Sequence, residues 1–254
     1  MSAPSTTAHP SASDASRPAG LKGKTVAIVQ SNYIPWKGYF DLINRVDEFI
    51  LFDDVQFTRR DWRNRNRIKT RDGLAWLTIP VRVKGRFSQT IKDTVISDPQ
   101  WNRRHWNTLV HHYARARHFR AYKDALEALY LGSTETHLSD VNHRFIIAIC
   151  EMLGIRTRIT RSTDYHLIDG QTARLVDLCR QANATDYLSG PAAKAYMDED
   201  LFRQAGIVLH WMDYSGYPQY GQRFPPFEHR VTILDLLLNE GPDAPKYMRS
   251  FGHN

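Results

Sequence analysis

Thr25-Val-Ala-Ile-Val-Gln30, then residues 38–46, then Phe49-Ile-Leu-Phe52 followed by Asp53-Asp54, is the stretch that decides the fold. The first run is short, nearly continuous and apolar, as expected of a strand buried on both faces of a parallel sheet. Between positions 38 and 46 the apolar residues Tyr39, Leu42, Ile43 and Val46 keep helical spacing. A second buried-strand run follows at once. This is a βαβ unit, whose right-handed crossover puts the strand C-termini and their loops on one edge.

The same alternation returns downstream. Residues 156–160, 185–188 and 207–212 read as strands, and residues 172–182, 198–205 and 231–239 as helices, with Gly206 and Gly241-Pro242 as stop signals. In between, an apolar run over 74–83 reads as a strand, with Pro80 placing it at an edge or a strand end. Residues 106–129 keep helical spacing at Trp106, Leu109, Tyr113, Phe119, Leu126 and Leu129. A second helix over 138–153 carries Val141, Phe145, Ile149 and Met152 on one stripe. The expected fold is therefore α/β: a doubly wound, mostly parallel, Rossmann-like sheet with a helical pair inserted over about residues 100–154. It occupies residues 23–254 as one domain. Residues 1–22 are Ser, Ala, Thr and Pro with almost no large apolar side chain, so they read as a disordered tail.

Composition narrows the class. At 42% apolar residues the chain is globular, and no apolar stretch approaches the roughly 20 residues that cross a bilayer. A soluble cytoplasmic protein without a membrane partner is expected. The two cysteines, Cys150 and Cys179, form neither a C-x-x-C pair nor a disulfide framework and read as buried apolar residues. Much of the +7 charge sits at residues 59–71 and 103–120, a field that attracts nucleic acid, nucleotides or phosphorylated metabolites. No Walker A loop, G-x-G-x-x-G or G-x-S-x-G is present, which counts against kinase, dehydrogenase and hydrolase readings. His111 and His112 are adjacent in a helix and point to different faces, so they do not share a metal.

Ligands of open α/β sheets bind outside the carboxyl ends of the strands. Two loops occupy such places. In the first, Gln30 and Asn32 can read a substrate by hydrogen bonds, Tyr33, Trp36 and Tyr39 can pack on it, Lys37 can neutralise an anion, and Gly38 opens a helix whose free N–H groups suit a phosphate. The second mixes Asp53, Asp54, Gln56, Arg59, Arg60, Asp61, Trp62, Arg63, Asn64 and Asn66. Arginine forks bind phosphate or carboxylate bidentately, an aromatic ring stacks on a base or sugar, and a carboxylate serves as general base or metal ligand. Further along, Ser189-Gly190 leaves a strand for a helix, and Tyr217, Tyr220 and Gln222 belong to an aromatic, amide-rich loop. His229 is a candidate acid-base group. Asp235 and Asn239 face one side of an otherwise apolar helix.

The runs VAIVQSNYIPWKGYFDLI, FDDVQFTRRDWRNRNRIKT and LAWLTIPV, with the later LSGPAAKAYMDEDLF, YPQYGQRFPPF and VTILDLLLNEG, resemble the WbqC-like family over about residues 24–242. The resemblance implies a role in surface-polysaccharide or specialised-metabolite biosynthesis, through modification of amino sugars or related amines. The first loop is also distantly similar to the G-x-F-x-P-x-H-x-G-H signature of nucleotidylyltransferases and pantothenate-synthetase-like ligases. Ser31, Tyr33 and Pro35 stand at its Gly, Phe and Pro, but the loop is one residue shorter and lacks both histidines, with Lys37 and Tyr39 nearby.

The expectation is an enzyme that forms an amide or transfers an acyl or aminoacyl group to an amine, with ATP and Mg²⁺ as candidate cofactors. An anionic donor would lie across the two loops on Lys37, Arg59, Arg60 and Arg63, and Asp53 or Asp54 would act as base or bind Mg²⁺. Asp61 and His229 complete the catalytic candidates. The rival expectation is an RNA or tRNA partner for the basic segment 56–71.

Overall fold

The structure, a computed structural model, describes residues 23–252; the tail expected over residues 1–22 lies outside them. Five strands form one parallel sheet: β1 (Thr25–Val29), β2 (Glu48–Leu51), β5 (Arg158–Arg161), β6 (Asp186–Ser189) and β7 (Val208–Trp211). Their order is β5-β2-β1-β6-β7. The chain runs outward from β1 to β2 and β5, then returns to lay β6 on the other side of β1. That reversal makes the fold doubly wound and Rossmann-like, with its switch point between β1 and β6.

Alternation along the strands feeds two cores. Ala27, Phe49 and Leu51 face one layer, with α1 (Lys37–Asn44), α4 (Leu138–Leu153) and α7 (Ile233–Glu240). Val26, Ile28, Ile50 and Phe52 face the other, with α5 (Gln171–Gln181) and α6 (Glu199–Gln204). Both cysteines are free and buried, Cys150 in α4 and Cys179 in α5.

Everything between β2 and β5 is one long crossover, and here the structure departs from the sequence reading. A strand missed by that reading, β3 (Arg65–Thr70), pairs antiparallel with β4 (Gly73–Thr78) in a hairpin apart from the main sheet. The segment 56–71 is thus half strand. Its period-two pattern, Asn66 and Ile68 inward against Arg65 and Arg67 outward, is masked by polar side chains. The β4 strand stops before Pro80, as a residue without an N–H requires.

The helix expected over 106–129 is two, α2 (Trp101–Tyr113) and α3 (Phe119–Leu131). They separate at 114–118, where the His118 N–H leaves the helical ladder and donates to Leu238 O of α7 at 2.9 Å. With α4 the insert holds three helices rather than a pair, and α4 itself lies in the sheet-covering layer. No helix among the described residues is long and apolar enough to cross a membrane.

Candidate functional site at the switch point

The loop leaving β1 is fastened at nearly every residue. The Ser31 N–H donates to Asp53 Oδ1 at 2.8 Å, and Asn142 Nδ2 of α4 donates to the Ser31 hydroxyl at 2.9 Å. Asn66 Nδ2 lies 3.1 Å from Tyr33 O and 2.9 Å from Ile34 O, clamping two successive carbonyls. That clamp holds Ile34 at φ +37°, a conformation β-branched residues rarely adopt. The buried Tyr33 hydroxyl sits 2.8 Å from His105 Nδ1, and His105 Nε2 is 3.1 Å from Thr78 O. A carbonyl only accepts, so Nε2 carries the proton and Nδ1 accepts from Tyr33. Burial lowers the His105 pKa to about 4 and keeps the ring neutral.

Arg63 reaches into this loop from the start of the hairpin. Its guanidinium donates to Asn32 Oδ1 and lies 3.4 Å from Gln30 Oε1, and its backbone carbonyl accepts from Asn142 at 2.9 Å. Tyr39 donates its hydroxyl to Gln30 O at 3.0 Å. Gln30, Asn32, Tyr39 and Arg63 therefore meet at the carboxyl end of β1. Ser189 and Gly190 end the neighbouring β6, and the Tyr214 hydroxyl lies beside the Gly190 α-carbon.

The paired carboxylates after β2 diverge. Asp53 is buried and accepts from the Ser31 N–H and the Ser139 hydroxyl, so it ties the β1 exit to α4. Asp54 turns toward β5, where Ser162 Oγ donates to it at 2.6 Å and Lys92 Nζ pairs with it at 2.5 Å. Among the described residues no three His, Cys, Asp or Glu side chains converge on a common point.

Residues 213–230 form a strap across α1. Lys37, buried, donates from Nζ to Pro218 O at 2.8 Å and sits 5.2 Å from the ring centres of both Tyr217 and Tyr220. Burial lowers its pKa to about 8, against an opposing pull from Asp41. Trp36 packs on Tyr214 and Tyr217 and closes against Gly38, where a Cβ would come within 2.3 Å of the indole. Only glycine fits there. The Tyr217 hydroxyl donates to the buried Asp41 at 2.6 Å. Asp235 accepts from Tyr113 and Tyr220 at 2.7 Å each and from Gln222 at 2.9 Å. Burial raises the Asp235 pKa despite those bonds. Asn239 bonds its helix neighbour's backbone, Asp235 O, at 2.8 Å. His229 packs edge-on against Phe227, and burial with the nearby Lys37 charge lowers its pKa.

The remaining candidates are spread along the second loop. Gln56 bonds Phe87 O, Arg59 bonds Val83 O, and Arg60, at φ +58°, gives its carbonyl to Arg65. Asn64 bonds Ile79 O. Burial acts against the charge of Asp61, but the Thr58 hydrogen bond and Arg63 outweigh it and hold its pKa low. Sequence reasoning missed Asn142, Ser139 and His105, which lie far along the chain in helices read as packing. It also missed Asp41, whose only signal was a carboxylate inside an apolar helical stripe.

The chain matches the WbqC-like protein family over residues 30–247. It is 55% identical over 226 residues to Rv1507c, an uncharacterized protein of Mycobacterium tuberculosis, an alignment covering 89% of this chain and 98% of that relative. No solved structure matches it. The fastened β1 loop, the Arg63 fork and the aromatic strap all fall inside the matched span, and the chain belongs to the WbqC-like protein family.

Proposed function

We propose that this protein is a biosynthetic enzyme that joins an activated carboxyl group to an amine. The observation that carries the reading is the placement of Arg63. Its guanidinium, oriented by Asn32 and Gln30, stands at the end of β1 beside the switch point in strand order. That is where open α/β sheets bind ligands. A guanidinium offers five N–H groups in a planar fork, and the two side-chain carbonyls orient it toward a bidentate carboxylate or phosphate of the donor. An amine acceptor is what the family resemblance implies.

In the reaction the acceptor nitrogen forms a bond to the donor's carbonyl carbon. The bond from that carbon to its leaving group breaks, and the nitrogen's proton departs with the leaving group or to solvent. Where activation is by nucleotide, ATP with Mg²⁺ would first convert the carboxylate to an acyl adenylate and pyrophosphate. Asp53 holds the geometry of the β1 loop in this reading, rather than acting as a free base.

The test uses hydroxylamine as a general amine. Purified protein is incubated with a panel of carboxylic acids and ATP–Mg²⁺, or with preformed aminoacyl and acyl thioester donors. Hydroxamate and carboxylate-dependent ATP–pyrophosphate exchange are then measured. Product with one donor class, abolished by Arg63→Ala at an unchanged melting temperature, supports the reading. Absence of hydroxamate across both panels overturns it.

A further inference from the structure

The β3–β4 hairpin turns one face to solvent, and that face is built unlike an ordinary polar surface. In the antiparallel register Arg65 stands opposite Thr78 and Arg67 opposite Trp76, so these side chains share a side of the ribbon. Trp62, just before β3, joins them. Trp76 is 45% exposed and Trp62 37% exposed, with ring centres 5.5 Å apart. The Arg65 guanidinium lies 4.0 Å from the centre of the Trp76 ring, and that of Arg67 lies 5.5 Å from both indoles. Beyond them Arg59 sits 5.6 Å from the ring of Phe87, which is 77% exposed.

Charge is concentrated in the same segment, although Arg63 turns into the β1 loop and Lys69 is buried against Pro226. Residues 59–87 hold ten Arg and Lys against two acidic residues, Asp61 and Asp72, an excess of eight where the whole chain nets +7. The rest of the protein is therefore close to neutral. Glu228, a carboxylate whose charge is felt by Arg67, pairs with Arg230 at 3.6 Å. The Arg65 guanidinium donates to the Arg60 carbonyl, and among the described residues the buried Nε atoms of Arg65 and Arg67 have no hydrogen-bond partner.

Cross-strand Arg–Trp contacts stabilise a hairpin, but that role needs neither two exposed indoles nor so large a charge excess. Aromatic faces beside a row of cations are the elements with which proteins hold single-stranded nucleic acid: bases stack on the rings and guanidiniums, and the cations follow the phosphates. A duplex hides its base faces and would use only the charge. We infer that the outer face of the β3–β4 hairpin, Trp62, Arg65, Arg67 and Trp76 with Arg59 and Phe87 at its end, is a docking surface for a single-stranded nucleic-acid segment. The inference requires no reaction at Arg63, so it stands or falls separately from the proposed activity.

The test is fluorescence anisotropy of labelled 12-nucleotide RNA and DNA single strands with the full chain at increasing KCl, beside a blunt duplex of equal length and dextran sulfate. Single strands are expected to bind more tightly than the duplex, with affinity falling steeply as salt rises. Trp62→Ala with Trp76→Ala weakens binding about tenfold or more at an unchanged melting temperature. Arg67→Ala lowers the salt slope by about 1, whereas Arg67→Lys preserves the slope. Trp76→Phe, which keeps a ring and guards against a folding defect, retains most of the affinity. No binding at 50 mM KCl overturns the inference. So does equal binding of single strand, duplex and dextran sulfate that ignores the tryptophan variants, which would mark an unselective polyanion surface.

Discussion

The Ser31 N–H and the Asp53 carboxylate are joined at 2.8 Å, so the ends of the two innermost strands of the first βαβ unit are bonded directly to each other. With Ser139 on the other oxygen, Asp53 is the point where β1, β2 and α4 are held together.

Replacing Asp53 by alanine leaves a buried N–H and a buried hydroxyl without their acceptor, each worth roughly 1–3 kcal/mol. Asp53→Ala is expected to lower unfolding stability by about 2–4 kcal/mol in urea titrations. A variant as stable as the parent but inactive would instead make Asp53 a catalytic group.

Lys37 gives a signature in alkali. Its folded pKa of about 8 is below the ordinary 10.5, so between those values the unfolded chain binds the extra proton. The penalty of burying the charge is full below pH 8 and is relieved as pH rises toward 10.5. Relative to Lys37→Met, the parent should gain on the order of 1–2 kcal/mol between pH 7.5 and 9.5. Parallel stability curves for the two proteins would place the ammonium in water.

His105 acts in the acid range. Its folded pKa is about 4 against 6.5 unfolded, so its neutral form stabilises the fold fully above pH 6.5, and this contribution is lost as pH falls toward 4. His105→Gln can keep a donor and an acceptor without titrating. The parent should lose roughly 2–3 kcal/mol more than this variant between pH 7 and pH 4, measured by denaturant midpoints.

Tyr220 anchors the strap to Asp235, and Tyr113 meets the other oxygen of the same carboxylate. Leaving a buried acceptor without one of its donors costs about 1–3 kcal/mol. Tyr220→Phe should destabilise by about that amount and speed protease cleavage within residues 213–230. The Tyr113→Phe, Tyr220→Phe cycle should be non-additive, because both report on one carboxylate.

The two central strands of the first βαβ unit were legible because their buried residues are mostly apolar. Runs such as Thr25–Val29 and Glu48–Leu51 stand out from charged neighbours, and their loops fall at the strand ends as βαβ geometry demands. The hairpin strand Arg65–Thr70 was not legible as a strand, since its inward residues include Asn66, an amide that binds the β1 loop rather than a hydrocarbon. The candidate site divides along similar lines. Gln30, Asn32 and Arg63 were visible as unusual residues at a strand end. Asn142 and Ser139 were hidden in the polar positions of an amphipathic helix, where spacing cannot distinguish a solvent contact from one aimed at a loop 86 to 111 residues away. Asp53 and Asp54 look equivalent in sequence, and only the directions of two successive side chains separate them.

Asp41 adds a matter of timing. Its carboxylate lies in the first βαβ unit, yet it is satisfied by Tyr217 and by Arg249 and Ser250, 176 to 209 residues further on. At translation speeds of about 5–20 residues per second, that anion waits on the order of 10–40 s after its own synthesis before its partners exist. This early segment is thus finished only after much of the later chain is made. The strand pair at the centre of the protein can form early, but the face that carries the strap must stay wet until Arg249 and Ser250 arrive.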